Sequence, residues 1–281
     1  MPRAIDMHVH PGTREYVIDA GGEFHHHAFD YLKSEVRPVT ADEMAAHYRT
    51  LDVMAVVFAW DAETATGRPR VSNDYVAGLV RAYPDIFLGF ASVDPWKGQL
   101  AVHELERAVR ELGLRGVKFQ PIAERFLPND RRFYPLWEKC VELGIPAVFH
   151  VGTTALGAGV RGGDGFYLKY GQPLLLDEVA ADFPAFTIIA AHPAWPWQEE
   201  MLAIALHKSN VYFDLSGWSP RHFPPSLARF TNSVLQDRAL FGSDYPFFAP
   251  ERWLRDFEAV DFKAEVRQKV LLTNAQRLLG L

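Results

Sequence analysis

His8 and His10 stand one residue apart in the apolar segment Ile5 to His10, near the start of the chain. Side chains of a β-strand repeat every second residue, so the strand predicted here carries both imidazoles on one face, with Asp6 behind them. Such a pair can bind one metal ion, and imidazole suits zinc, iron, nickel and copper. Because the chain contains 11 histidines, the spacing alone is a weak signal. A metal site requires that further ligands converge on this pair.

The rest of the sequence predicts a framework that can bring distant residues to one point. Short segments rich in Val, Ile and Phe alternate with longer amphipathic segments, which is typical of β-α units repeated around a parallel sheet. Seven further strands are predicted at Val53–Trp60, Phe87–Val93, Gly116–Pro121, Pro146–Gly152, Thr187–Pro193, Val211–Gly217 and Ala239–Pro246. Helices are predicted near Asn73–Ala82, Leu100–Leu112, Phe133–Leu143, Leu174–Asp182, Gln198–His207, Pro225–Gln236 and Lys263–Leu279.

Eight strands, each followed by helical sequence, predict an α/β protein with a single (β/α)8 TIM barrel that spans residues 1–281. An open doubly wound sheet is the alternative, although no Gly-x-Gly-x-x-Gly follows the first strand. The length of 281 residues is close to the roughly 250 residues typical of one such barrel.

Composition limits the class of function. The net charge of −6 predicts no basic surface for nucleic acid and no attraction to anionic membranes, so we expect a small-molecule substrate. Cys140 is the only cysteine, which excludes an intramolecular disulfide. No apolar run of secretory or membrane-spanning length is visible, so a cytoplasmic protein is expected. Whether the chain forms a homodimer stays open.

Two connections are long enough to contribute to a site. The segment Pro11 to Arg37 contains His25, His26 and His27 and is predicted to be an irregular loop that is either solvated or in contact with substrate or a second metal. A helix is predicted to follow this segment, with Thr40 and Glu43 forming a capping box at its start. The glycine-rich segment Gly157 to Gly171 is predicted to be a lid or substrate loop.

Polar residues follow the apolar strands at the end where barrel enzymes place their active sites. Beyond the first strand, these residues are Lys118, His150, His192 and Asp244. Polar groups at the ends of buried strands are costly unless they are paired or coordinated. Their convergence with His8 and His10 therefore predicts a metal site at one rim of the barrel.

The motifs Ile-Asp-Met-His-Val-His, Val-Phe-His-Val-Gly, Ala-Ala-His-Pro-Ala-Trp and Leu-Phe-Gly-Ser-Asp-Tyr-Pro together resemble the amidohydrolase superfamily. More narrowly, they are similar to the branch that includes aminocarboxymuconate-semialdehyde decarboxylase and resorcylate-type decarboxylases. The resemblance implies that one divalent metal, most often zinc in this branch, is bound by the ligands His8, His10, His150 and Asp244. It also implies that His192 acts beside the metal in acid–base catalysis or substrate polarisation.

The identity of the metal and the number of metal ions stay open. In other branches of the superfamily a lysine in the position of Lys118 is carbamylated and bridges two metals, and Gln120 stands where relatives with a Lys-x-His-Pro pattern have histidine. Manganese or iron, and a dinuclear site, therefore remain open beside a single zinc ion.

The expected reaction follows from this metal chemistry. A site with three histidines and one carboxylate has room for water and substrate, and His192 and Asp244 are the expected catalytic residues. We expect a hydrolase acting on a small aromatic or β-keto acid, thioester or lactone, with nonoxidative decarboxylation of an aromatic or muconate-type acid as the alternative and a dinuclear iron oxygenase as a minor one. Candidate substrate-binding residues are Arg161, Trp195 and Tyr245.

Overall fold

The fold is a ring of parallel strands with helices outside it, described by a computed structural model for residues 2–281. The strands are β1 Ala4–Val9, β2 Val53–Val57, β3 Phe87–Gly89, β4 Ala91–Ser92, β5 Val117–Phe119, β6 Ala147–His150, β7 Ile188–Ala191, β8 Val211–Asp214 and β9 Ala239–Leu240. Sequence neighbours pair in parallel in two sheets, β1-β2-β3 and β4 to β9. The predicted α/β TIM-barrel class is confirmed.

Backbone hydrogen bonds join the two sheets at both seams. At one seam, Phe90 N donates to Val57 O at 3.0 Å, and Ala91 N donates to Gly116 O at 2.7 Å. At the other seam, Met7 N donates to Phe241 O at 2.8 Å, and an isolated parallel bridge joins Val9 to Tyr245. The carboxyl ends of all the strands therefore meet at one rim.

The third predicted strand, Phe87–Val93, is interrupted at Phe90 and forms β3 and β4. The Phe90 ring is fully buried with Phe58 and Val56 in one apolar cluster, and it lies where a Cβ on Gly116 would sit, with its nearest ring atom 2.6 Å away. The break marks a change of partner, because β3 pairs with β2 and β4 pairs with β5.

The helices are α1 Gly22–Leu32, α2 Ala41–Thr50, α3 Glu63–Thr66, α4 Asn73–Ala82, α5 Gln99–Arg110, α6 Pro121–Glu124, α7 Tyr134–Leu143, α8 Leu175–Asp182, α9 Gln198–His207, α10 Pro225–Thr231, α11 Pro250–Glu258, α12 Ala264–Gln268 and α13 Asn274–Leu279. A π-helical segment, Lys269–Thr273, joins α12 to α13. The capping box that opens α2 is confirmed, because Thr40 Oγ1 accepts from Glu43 N and Glu43 Oε2 accepts from Thr40 N. Within residues 2–281, no helix combines the length and the apolarity that crossing a bilayer demands.

The expectation of an irregular loop from Pro11 to Arg37 is wrong. This segment contains a π-helical segment, Glu15–Ala20, followed directly by α1. Phe29 of α1 is buried, and its ring lies 5.0 Å from that of Phe247. Packing of an apolar face thus overrides a local composition rich in glycine and histidine.

The helix α11 is missing from the predicted helices because its segment is rich in charged residues. Trp253, Leu254 and Phe257 nevertheless form a buried stripe on one face. Trp253 Nε1 also donates to Leu215 O at 2.9 Å, which ties α11 to the end of β8. This helix stands behind the rim that carries Asp244.

Candidate active site

A break in the register of β1 sets the direction of its polar side chains. The pairing with β2 shifts between Asp6 and Val9. Asp6 accepts from Tyr48 Oη of α2 at 3.1 Å, on the helix side of the sheet, whereas His8 faces Lys118 on β5. The expectation that Asp6 shares a face with His8 is therefore wrong. Irregularities of this kind often redirect a side chain next to an active site.

His8 and His10 are both buried and both held through Nδ1. His8 Nδ1 lies 2.9 Å from Asp214 Oδ2, and His10 Nδ1 lies 2.9 Å from Phe58 O. These acceptors assign the proton to Nδ1 in each ring, so each Nε2 carries a lone pair. Both Nε2 atoms lie 3.5 Å from Asp244 Oδ1. A carboxylate or carbonyl behind a ligating imidazole is the usual way in which proteins orient histidine toward a metal.

His192 and His150 form a second, connected pair beside the first. His150 Nε2 lies 2.9 Å from Thr153 O, and His150 Nδ1 lies 3.0 Å from His192 Nε2. The His192 ring in turn lies 4.7 Å from the His8 ring, centroid to centroid. His150 therefore reaches the cluster through His192, rather than facing Asp244 directly.

Three potential ligand atoms lie close enough together to bind a single cation. His8, His192 and Asp244 each offer one nitrogen or oxygen, and these three atoms lie within 4.8 Å of one another. Nitrogen and carboxylate oxygen suit zinc, manganese and iron alike. The donor set around Asp244 thus fits a divalent metal, with His10 Nε2 next to it.

Asp214 holds the histidines in position through hydrogen bonds. This fully buried carboxylate accepts from His8 Nδ1 through Oδ2, while its Oδ1 accepts from the backbone N–H groups of His192 and Ser216, each at 3.0 Å. Ser216 Oγ also donates to Oδ1 and lies 2.8 Å from His192 Nδ1. The position of Asp214 at the end of β8 is the signal in the sequence that could have pointed to this orienting role.

Two site residues have backbone conformations that side chains rarely adopt. His192 has φ = 70° and Asp244 has φ = 74°. Left-handed backbone is uncommon outside glycine and clusters at functional sites. Gly217, with φ = +74°, provides the room they need, because a Cβ there would lie 3.0 Å from His192 Nδ1 and 3.1 Å from Asp244 Oδ2.

Lys118 is the buried cation of the site. Its Nζ donates to His8 Nε2 at 3.3 Å and lies 5.2 Å from the centre of the Phe58 ring. The side chain is 1% exposed, and burial lowers the pKa of its ammonium group to about 8.

Burial and the charge of Lys118 also keep the imidazoles neutral. Together they lower the pKa of His10 and of His150 to about 3, and burial lowers the pKa of His8 and of His192 well below the ordinary value. Desolvation raises the pKa of the Asp244 carboxyl group. Neutral imidazole is the form that binds metal, so burial keeps the histidines of this cluster in the form that can act as ligands.

These residues form the floor of a cavity of about 1030 Å³. Its aromatic lining residues are Tyr16, Tyr31, Trp60, Phe166, Trp195, Trp218, Phe247 and Phe248. Trp195 is thus placed where the sequence predicts a substrate contact. Arg161 is exposed and Tyr245 packs against Tyr48 of α2, and neither residue is part of the cavity lining.

The three consecutive histidines separate into different environments. His25 is fully buried and lines the cavity, with its ring centroid 4.7 Å from that of Tyr16. His26 is exposed. His27 Nδ1 lies 2.8 Å from Asp164 Oδ2 in the glycine-rich segment, and Phe24 packs on Phe166 with ring centroids 4.9 Å apart. The helix α1 and the glycine-rich segment therefore meet over the cavity as a two-part cap.

The sequence is similar to a known protein family and to proteins of known activity. A family model described as amidohydrolase matches residues 5–281. Gamma-resorcylate decarboxylase from Polaromonas sp. strain JS666 is 24% identical over an alignment of 330 residues that covers 99% of this chain and 98% of that protein.

Two solved structures share the fold over nearly their whole length. An uncharacterized TIM-barrel protein from Bordetella bronchiseptica has a TM-score of 0.80 at 24% identity, covering 99% of this chain and 98% of that one. Dihydroxybenzoic acid decarboxylase from Polaromonas sp. JS666, with bound manganese and the inhibitor 2-nitroresorcinol, has a TM-score of 0.70 at 22% identity, covering 100% and 98%. At these identities the likeness establishes the barrel.

Proposed function

Because this chain belongs to the amidohydrolase family, we propose that it is a metal-dependent enzyme that removes carbon dioxide from a small aromatic or muconate-type acid without oxidation. The observation that carries the proposal is the buried ammonium group of Lys118 at the cavity floor. Within residues 2–281 its close polar partner is a neutral imidazole, that of His8. The carboxylates of Asp214 and Asp244 lie near enough to attract this cation through space, but neither accepts a hydrogen bond from it. Its N–H groups can therefore donate to a substrate carboxylate.

The charge of the whole cavity supports an acidic substrate. Among the described residues that line it, Lys33, Lys118 and Arg252 are basic and Asp244 is the one carboxylate. Positively charged walls of low dielectric attract and orient an anion. The aromatic lining residues favour a flat or apolar remainder of the molecule.

The comparisons favour decarboxylation over the hydrolysis expected from the sequence. A relative that matches nearly the whole chain is named a decarboxylase, as is one of the two structures compared above. That structure contains bound manganese. The comparisons give no specific support to the expectation of zinc. We propose one divalent metal per chain, with His8, His10, His150 and Asp244 as ligands and His192 beside them. The spacing of the donor atoms of His8, His192 and Asp244, within 4.8 Å of one another, supports a metal at this point.

Each residue of the floor has a definite part in this reaction. Lys118 binds the substrate carboxylate, and the aromatic walls hold the ring or conjugated chain in place. A divalent cation, when bound, supplies Lewis-acid stabilisation of negative charge on a substrate oxygen. We assign to His192 and Asp244 the transfer of a proton to the carbon that carries the carboxylate. The bond to the carboxylate carbon breaks, its electron pair stays on the protonated carbon, and carbon dioxide leaves.

The test is release of carbon dioxide by purified protein supplied with manganese or zinc. Substrates are hydroxybenzoates, including 2,6-dihydroxybenzoate, and carboxymuconate-type acids, and the decarboxylated product is measured alongside the gas. We expect one carbon dioxide per product molecule. No carbon dioxide from any acid, together with turnover of esters, lactones or β-ketoacyl compounds, contradicts decarboxylation and restores the hydrolase hypothesis.

A further inference from the structure

Gln120 is a polar side chain of the cavity that has no part in the site described so far. It lines the cavity and is 5% exposed. Its Oε1 is buried and has no hydrogen-bond partner among the described residues. Buried polar atoms in folded proteins are nearly always hydrogen-bonded, and an unpaired one costs free energy. The unpaired amide oxygen therefore points to a partner that arrives with a ligand.

The register of the barrel places this amide next to the catalytic floor. Phe119 pairs with Phe149 in register, and their rings stack at 5.3 Å on the helix side of the sheet, against Trp137. Because faces alternate along a strand, Gln120 points to the interior beside His150. Lys118, two residues earlier, lies on the same interior face, about 7 Å away along the strand.

The local backbone holds Gln120 in place. Its N–H donates to Glu124 Oε2 at 3.0 Å, and Glu124 is fully buried. Pro121 follows directly and begins α6. The side chain thus extends from a fixed main chain at a strand end, which is the arrangement that preorganises a recognition group.

We propose that Gln120 is a specificity-determining residue that hydrogen-bonds a hydroxyl group of the acid whose carboxylate Lys118 binds. This inference rests on the proposed function and extends it to the substrate's second polar group. A carboxylate accepts hydrogen bonds only, so it cannot satisfy an amide oxygen. A hydroxyl group both donates and accepts, so it satisfies the Gln120 amide whichever of its two polar atoms faces the ligand.

The test is a comparison of binding affinities, measured by calorimetry on the full-length, manganese-loaded protein. The ligands are 2,6-dihydroxybenzoate, 2-hydroxybenzoate and benzoate, which differ only in hydroxyl groups. We expect the native protein to bind a hydroxylated acid about tenfold to a hundredfold more tightly than benzoate. We expect Gln120→Leu to lose that preference, because it leaves no polar atom for the hydroxyl group to pair with.

Gln198→Leu is the matched control. Gln198 also has a buried Oε1 without a partner among the described residues, but it lies at the start of α9 and is not part of the cavity lining. We expect this variant to keep the native preference. Absence of a preference in the native protein, or its retention in a folded Gln120→Leu variant, overturns the inference.

The binding data also separate this inference from the proposed reaction. A hydroxyl preference that Gln120→Leu abolishes, in a protein that releases no carbon dioxide, supports the role of Gln120 and refutes decarboxylation. Carbon dioxide release from a Gln120→Leu protein that still prefers hydroxylated acids supports decarboxylation and refutes the role of Gln120.

Discussion

Replacement of Asp214 by asparagine changes one group that organises the whole site. Asp214 Oδ1 accepts the backbone N–H groups of His192 and Ser216, and Oδ2 accepts from His8 Nδ1. In Asp214→Asn the amide oxygen can keep the two backbone donors, so its NH₂ group must face His8. His8 then has to accept at Nδ1, which moves its proton to Nε2, the nitrogen proposed to bind metal.

The size of the effect follows from this single hydrogen bond of 2.9 Å. Loss of an orienting partner behind a metal-binding histidine weakens metal affinity by about tenfold to a hundredfold, which is about 1.4 to 2.8 kcal/mol. The side-chain volume is unchanged and the backbone donors stay paired, so we expect the barrel to remain folded. The assay is titration of metal-free protein with manganese, with the melting temperature recorded for each variant.

Asp61→Asn is the matched control for this prediction. Asp61 is also fully buried, but it pairs with Lys97 at 3.0 Å and Arg70 at 3.3 Å outside the cavity. We expect Asp61→Asn to lower stability without changing metal affinity. Native metal affinity in a folded Asp214→Asn variant would refute the role of Asp214 in setting the His8 tautomer.

Four further predictions follow from the same contacts. Lys118→Met should raise KM for the acid substrate about tenfold to a hundredfold, because the buried counter-charge is lost, and an unchanged KM contradicts its role. His150→Ala should reduce the metal content of purified protein, and full occupancy by elemental analysis shows that His150 acts only through its neighbour. Thr40→Ala should lower the free energy of unfolding in urea by about 1 kcal/mol, because it removes the cap of α2, and no change refutes that role. The hydrogen bond to Asp164 raises the pKa of His27, so His27→Gln should lower the melting temperature at acidic pH, with the difference vanishing as pH rises through that raised pKa; a difference independent of pH contradicts it.

The rim of the site could be predicted from the sequence because the barrel rule fixes which ends of the strands meet. His8, His10, His192 and Asp244 each follow or end an apolar strand, and the structure brings them together. The order of apolar strands and polar residues is visible in the sequence itself, so strand periodicity and one topological rule suffice to place these residues at one rim.

Other features depend on contacts that no local pattern reveals. The shift in β1 turns Asp6 toward α2, and the left-handed backbone at Asp244 precedes a tyrosine that packs away from the cavity. The helix α1 is stabilised by packing of Phe29 against Phe247, which is more than two hundred residues away in the sequence. Tyr245 lies outside the cavity lining, and the segment from Pro11 to Arg37 is helical instead of irregular. The reason is the same in both cases, because tertiary packing decided the outcome.

The most direct test of the account is the metal dependence of carbon dioxide release in the native protein and in His10→Ala. Protein treated with a chelator should release no carbon dioxide from its acid substrate. Addition of one equivalent of manganese should restore carbon dioxide release in the native protein only. His10→Ala should stay folded, with a native-like melting temperature for its metal-free form. Release that persists after chelation, or a His10→Ala variant that keeps both full metal occupancy and native turnover, would contradict the claim that this cluster is a metal-dependent decarboxylation site.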